Sequence, residues 1–237
     1  MDSLTHTVLG ACVGQALAGK KIGKKAMLWG ALANNLPDID VLSSFWMKQA
    51  DSLLAHRGFT HSILFALIMS PLLAYLFTKW FRKTEMTFRD WLLIFGTGNF
   101  IHIGIDSLTC YGTGWFEPFS HLRVAFNVLF VADVFYTLPI LIACIALLIL
   151  NKAHPKRAGW ARFGILVSSV YIIYAMSNKV VIDRRMRMEL ERQKIVYNDY
   201  FTNPTPLNNF LWYMTAKNDS GFYVGYRSLF DKTDTIA

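Results

Sequence analysis

Cysteine is scarce in this chain: three in 237 residues, Cys12, Cys110 and Cys144. They lie far apart and form no Cys-x-x-Cys, so neither a disulfide framework nor a thiolate metal site is indicated. Charge is also thin, at 17% of residues against 54% hydrophobic, and mean hydropathy is +0.32. That balance excludes an ordinary soluble domain and points to a helical membrane protein. There is no internal repeat, no low-complexity tract and no Gly-x-Ser-x-Gly nucleophile elbow. Despite a formal charge of +8, no basic stretch is interleaved with aromatics in a nucleic-acid module, so no nucleic-acid partner is expected. The opening Met1-Asp2-Ser3 lacks a basic n-region and does not read as a cleaved signal peptide.

What the chain does have is apolar segments, read here as 4–19, 26–45, 62–80, 91–108, 125–150 and 163–182. The first is short for a bilayer, which takes about 20 residues to span; Gly10 and Gly14 in it suit close helix contact. The second breaks at Asn34-Asn35-Leu36-Pro37, where proline disfavours helix. The fold expected is an all-α polytopic membrane protein of five to six segments, the first two short or re-entrant. Residues 1–182 form its helical membrane domain. Residues 183–237 form a polar appendage, read as a short helix and a small β-rich unit. Loops 20–25, 79–90 and 151–162 each carry four Lys or Arg, whereas the intervening loops carry only Lys48, Arg57 and Arg123. The positive-inside rule places the basic loops in the cytoplasm. Arg184, Arg185, Arg187, Arg192 and Lys194 disagree, although longer translocated stretches weigh less.

The densest chemistry is the run His56-Arg57-Gly58-Phe59-Thr60-His61-Ser62, at the mouth of a long apolar helix. Ionisable groups beside hydrocarbon are expensive and need a reason. His6, Asp38, Asp40, His102, Asp106 and Asp133 stand at other apparent helix ends. The alternation of segments brings all eight groups to one side of the membrane, the outer one. His102 and Asp106 share a helix face by i, i+4 spacing and can bind one divalent ion. Imidazole with carboxylate suits zinc first, manganese or iron second. The expected ligands are His6, Asp38, His56, His61, His102 and Asp106, for one or two ions. Arg57 suits an anionic substrate group, and Asp40 or Asp133 is left to act as catalytic base or orienter. Such a site supports hydrolysis of a phosphoester or related bond by metal-activated water, with a membrane lipid or lipid-linked molecule as substrate.

Thr5-His6-Thr7 with Gly10, Pro37-Asp38-Ile39-Asp40, the His56–Ser62 string and His102-x-x-x-Asp106 together resemble the YdjM-type family. That family is described as LexA-binding, inner-membrane-associated hydrolases, or membrane-bound metal-dependent hydrolases. The resemblance spans most of the chain and implies an integral membrane hydrolase with metal at these positions. It supplies no substrate, and the chain shows no DNA-binding element to go with LexA. Two other classes share the ligands: a transporter or metal-handling protein, and a regulatory membrane protein in which the ion only staples helices.

Overall fold

In a computed structural model, residues 1–48 and 56–232 are described; residues 49–55, part of the loop expected at 46–61, lie outside them. Helix α1 (Ser3–Ile22) starts where the Asp2 carboxylate accepts from Thr5 N. It ends at Gly23, whose φ of 60° lies in the left-handed region that a residue without Cβ adopts freely. Helix α2 (Lys25–Asn34) follows and stops before Pro37, which opens a 3-10 run, Pro37–Phe45. The expected second segment, 26–45, is therefore two pieces: proline cannot supply the N–H that would continue α2. A short 3-10 turn, Phe59–His61, leads into α3 (Ile63–Trp80), capped by Ser62.

Helix α4 (Phe88–Ser107) begins with a reciprocal capping box between Thr87 and Asp90. Helix α5 (Val134–Ile149) begins at Asp133, not at residue 125 as expected. Residues before it are non-helical and pair with the end of α4, Phe126 N on Ser107 O and Val128 N on Leu108 O. Helix α6 runs unbroken over Arg157–Arg192, through residue 182, so the short helix expected in the appendage is the end of α6. Strands β1 (Asp199–Pro204), β2 (Leu211–Asn218) and β3 (Gly221–Ser228) form an antiparallel sheet in the order β1-β2-β3. Its buried Trp212, Met214 and Ala216 close on Ile182, Met186 and Leu190 of α6. Trp212 is the large buried aromatic of this unit, while Phe222, Tyr223 and Tyr226 on β3 stay exposed.

The protein is mostly helical with this small sheet. Among the described residues two helices are long and apolar enough to cross a membrane, α3 and α6, and only 22% of each apolar window is buried. Helix α1 instead lies inside, against α2, α4, α5 and α6. Its glycines set the spacing: a Cβ on Gly14 would lie 2.1 Å from Ala26 O, and one on Gly30 2.1 Å from Gly10 O. This backbone contact holds α1 against α2 and brings Asn34 onto His6, where Asn34 Nδ2 donates to His6 O at 2.7 Å.

Candidate metal centre

Three elements deliver four side chains to the same end of the bundle. The 3-10 run brings Asp38, the turn before α3 brings His61, and the last two turns of α4 bring His102 and Asp106, while α1 and α2 pack behind them. One donor atom from each of these four side chains lies within 4.8 Å of the other three. His61 Nε2 is 3.4 Å from Asp38 Oδ1 and 3.5 Å from Asp106 Oδ2; His102 Nε2 is 3.4 Å and 3.6 Å from the same atoms. The two Nε2 atoms are 3.0 Å apart. A zinc ion with ligands about 2.0–2.1 Å away holds them about 3.3 Å apart, the edge of a tetrahedron, and five edges of this group lie close to that. His61, His102 and Asp106 are buried, and Asp38, 20% exposed, is the open side.

The hydrogen bonds around the ring fix which nitrogens face inward. His102 Nδ1 is 2.5 Å from Asn34 O, a carbonyl that can only accept, so Nδ1 carries the hydrogen. Thr60 Oγ1 donates to Asp40 Oδ2 at 2.8 Å and, with its hydrogen so used, accepts from His61 Nδ1 at 3.2 Å. Asp40 Oδ2 lies 3.3 Å from the same nitrogen. Both Nε2 lone pairs therefore point at each other, an arrangement that requires a proton or a cation between them. Burial lowers the His61 pKa, but hydrogen bonds to Asp106, Asp38 and Asp40 outweigh it and raise it to about 10. The donor set fits a divalent ion, and Asn34 O and Asp40 are the outer partners that orient ligating imidazoles.

The remaining expected site residues fall around this ring. His6 is stacked on His102 with ring centroids 3.8 Å apart, and its Nε2 lies 3.0 Å from Asp106 Oδ1, so it holds Asp106 from outside the ring. The Met1 amino group touches that same oxygen. His56 belongs to a second group with Asp38 and Asp40, its Nδ1 2.9 Å from Asp40 Oδ1. Arg57 points inward: Nε is 3.2 Å from Asp106 Oδ2 and Nη1 donates to Thr109 Oγ1 at 2.9 Å. Its φ of 63° is uncommon for a residue with Cβ. Its N–H on Asp40 Oδ2 and its carbonyl accepting from Gly114 N hold it there.

Asp133 does not join the ring. Its Oδ1 accepts from Phe135 N and Tyr136 N, and its Oδ2 from the Tyr171 hydroxyl at 3.0 Å. It caps α5 and ties that end to α6. Sequence reasoning missed Asn34 as an orienter and Thr109 as a support. The Asn34-Asn35 pair before Pro37 was the available signal for the first; nothing marked the second.

A sequence profile of the YdjM inner membrane protein family matches residues 1–182. The chain belongs to that family. This YdjM-family chain is 34% identical over 122 residues to the inner membrane protein YbcI of Escherichia coli (strain K12), covering 51% of this chain and 69% of YbcI. It is 28% identical to the uncharacterized protein YfhP of Bacillus subtilis (strain 168), over 95% of this chain and 68% of that one. No solved structure matches it. The profile stops where α6 leaves the bundle, and all four ring residues lie within it.

Proposed function

We propose that this protein is an integral membrane metal-dependent hydrolase. It crosses the bacterial inner membrane five to six times and acts from the outer face on a phosphoester or related bond of a lipid or lipid-linked substrate. The observation that carries the reading is the buried ring of Asp38, His61, His102 and Asp106, with donor separations of 3.0–3.6 Å. A divalent ion held there, zinc in first place, supplies Lewis acidity and a water that ionises near neutral pH. Asp40 and Asn34 keep the imidazoles aligned, and His6 and Arg57 hold Asp106. His56, oriented by Asp40 at the open side, is placed to take or give the proton of the reaction. Asp40 then acts through its histidines, and Asp133 acts as a helix cap.

Beside the ring lies a cavity of about 280 Å³, lined by Met1, His56, Arg57, Tyr111, Arg123 and Val131. Its two arginines suit an anionic group: Arg57 supplies charge from the wall, and exposed Arg123 is the group that reaches out. Phe45 and Trp46 at the end of the 3-10 run, Phe59 in the turn before α3, and Phe116 and Phe119 in the loop after α4 are exposed; such side chains settle at the membrane–water boundary and favour a substrate presented from the bilayer. Helix α3 is 18 residues, about 27 Å, close to the hydrocarbon thickness of about 30 Å. With α2 only 10 residues long, the second crossing is a broken one through the bundle. A transit site for cations is disfavoured at the far end, where a separate cavity is lined by Lys20, Lys152, Arg157 and Arg162.

The test is metal content of the detergent-purified protein, paired with release of phosphate or diacylglycerol from vesicles of phosphatidic acid and phosphatidylglycerol. One or two bound ions, lost with activity in His61→Ala and His102→Ala, are expected. Protein that takes up no metal from a replete buffer would sink the reading. Metal retained without turnover of any lipid phosphoester would leave a structural ion.

A further inference from the structure

A second polar cavity, of about 350 Å³, opens at the opposite end of the bundle, between the last turns of α1 and the start of α6. Its polar lining is Gln15, Lys20, Lys152, His154, Arg157 and Arg162, with no carboxylate. From His6 to Lys20, α1 rises about 21 Å, so this cavity lies far from the metal ring, at the level of the other membrane surface.

Arg157 is the unusual member. It is 3% exposed, yet every partner it has is neutral. Nη1 donates to Leu147 O at 2.5 Å and Leu150 O at 2.9 Å, and Nη2 to Gln15 Oε1 at 2.5 Å. Its Nε has no hydrogen-bond partner among the described residues. No described carboxylate pairs with Arg157, or with Lys20, Lys152, His154 or Arg162, whereas neighbouring Lys21 is paired with Asp90 at 2.6 Å. A buried guanidinium without a counter-charge is costly, and four cations around one cavity repel one another. Helix α6 starts at this cavity with no acidic residue in its first turn, and its dipole adds to the positive potential.

We propose that this cavity is a binding site for a phosphate group, contributed by an anionic phospholipid headgroup of the inner leaflet. A phosphate enters beside Lys20, Lys152 and Arg162, neutralises the buried Arg157 and completes the packing of α1, α5 and α6. Free phosphate shares the chemistry, so the test separates the two sources.

The full-length protein in a neutral detergent is titrated with phosphatidylglycerol, with phosphatidylcholine and with inorganic phosphate. Melting temperature and lipid retained in native mass spectrometry are the readouts. Phosphatidylglycerol should raise the melting temperature and stay bound, and phosphatidylcholine should do neither. The variant Lys20→Gln/Lys152→Gln/Arg162→Gln alters exposed side chains away from the metal ring. It should keep its metal and its melting temperature without lipid, yet bind phosphatidylglycerol at least tenfold more weakly. An equal shift from millimolar inorganic phosphate, abolished in the triple variant, would keep the phosphate site and assign free phosphate as its source. Equal retention of the two lipids, or an undiminished response in the triple variant, would overturn the proposal.

Discussion

Asp40 shows how much one carboxylate can organise from beside the ring. It accepts from Arg57 N and Thr60 Oγ1 and lies against Nδ1 of both His56 and His61. Asp40→Asn should leave the chain folded but weaken metal affinity about 10- to 100-fold, the usual cost of losing an outer partner of a ligating histidine, as read by competition with a chelating dye. Asp38→Asn and His102→Ala remove ring members and should abolish stoichiometric metal. The raised pKa of His61, about 10, sets a pH dependence. Without metal the imidazole is protonated below that value, and an ion must displace this proton to reach Nε2. Metal affinity should therefore rise with pH across 6 to 9. Affinity falling over that range would contradict the hydrogen-bond assignment around His61.

At the scale of elements, backbone contact governs how α1 and α2 seat the ring. Gly14 meets Ala26 O and Gly30 meets Gly10 O with no room for a Cβ. Gly14→Leu should cost about 3 kcal/mol or more, the upper range for overpacking, and should lower metal content, because Asn34 would lose its place behind His102. Thermal melting with metal analysis checks both. Asp133 belongs to this scale too. Asp133→Ala should cost about 1 kcal/mol as a lost helix cap, while metal content and hydrolytic activity per folded molecule stay unchanged. Activity lost from well-folded Asp133→Ala would return Asp133 to the chemistry. The helix ends were legible where a side chain announces them, as with Ser62 before the apolar run of α3. They were not legible for α5, because residues 125–133 are mostly apolar like the helix, and it is their pairing with Ser107 and Leu108 that holds the start of this stretch out of it.

For the whole molecule, the proposed orientation puts the ring outside and the Lys/Arg cavity inside. The native cysteines can test it. Cys110 is exposed just past α4, at the ring end, while Cys12 and Cys144 are buried. A membrane-impermeant maleimide added to intact spheroplasts should label Cys110 alone, and Cys110→Ser should remove the signal. Labelling only after lysis would invert the topology and place the ring in the cytoplasm. The same view explains why α1 resisted reading as a lipid-facing span: it is the central helix, covered by α2, α4, α5 and α6, so its small residues serve contact between helices.

Composition and local pattern by themselves determined that this is a helical, membrane-embedded chain with its histidines and aspartates near segment ends, because hydrocarbon tolerates few polar groups and places them at its borders. They also marked Pro37 as a break and His102 with Asp106 as one helix face, since both follow from backbone geometry within a few residues. Only the tertiary structure decided which of the candidates form the ring. His6, His56 and Asp133 are the same residue types as the ring members, and what separates them is the direction in which each side chain is held. The stacking of His6 on His102, the contact of Arg57 with Asp106 and the bond from Tyr171 to Asp133 span about 40 to 100 residues of chain, and a one-dimensional reading has no access to them.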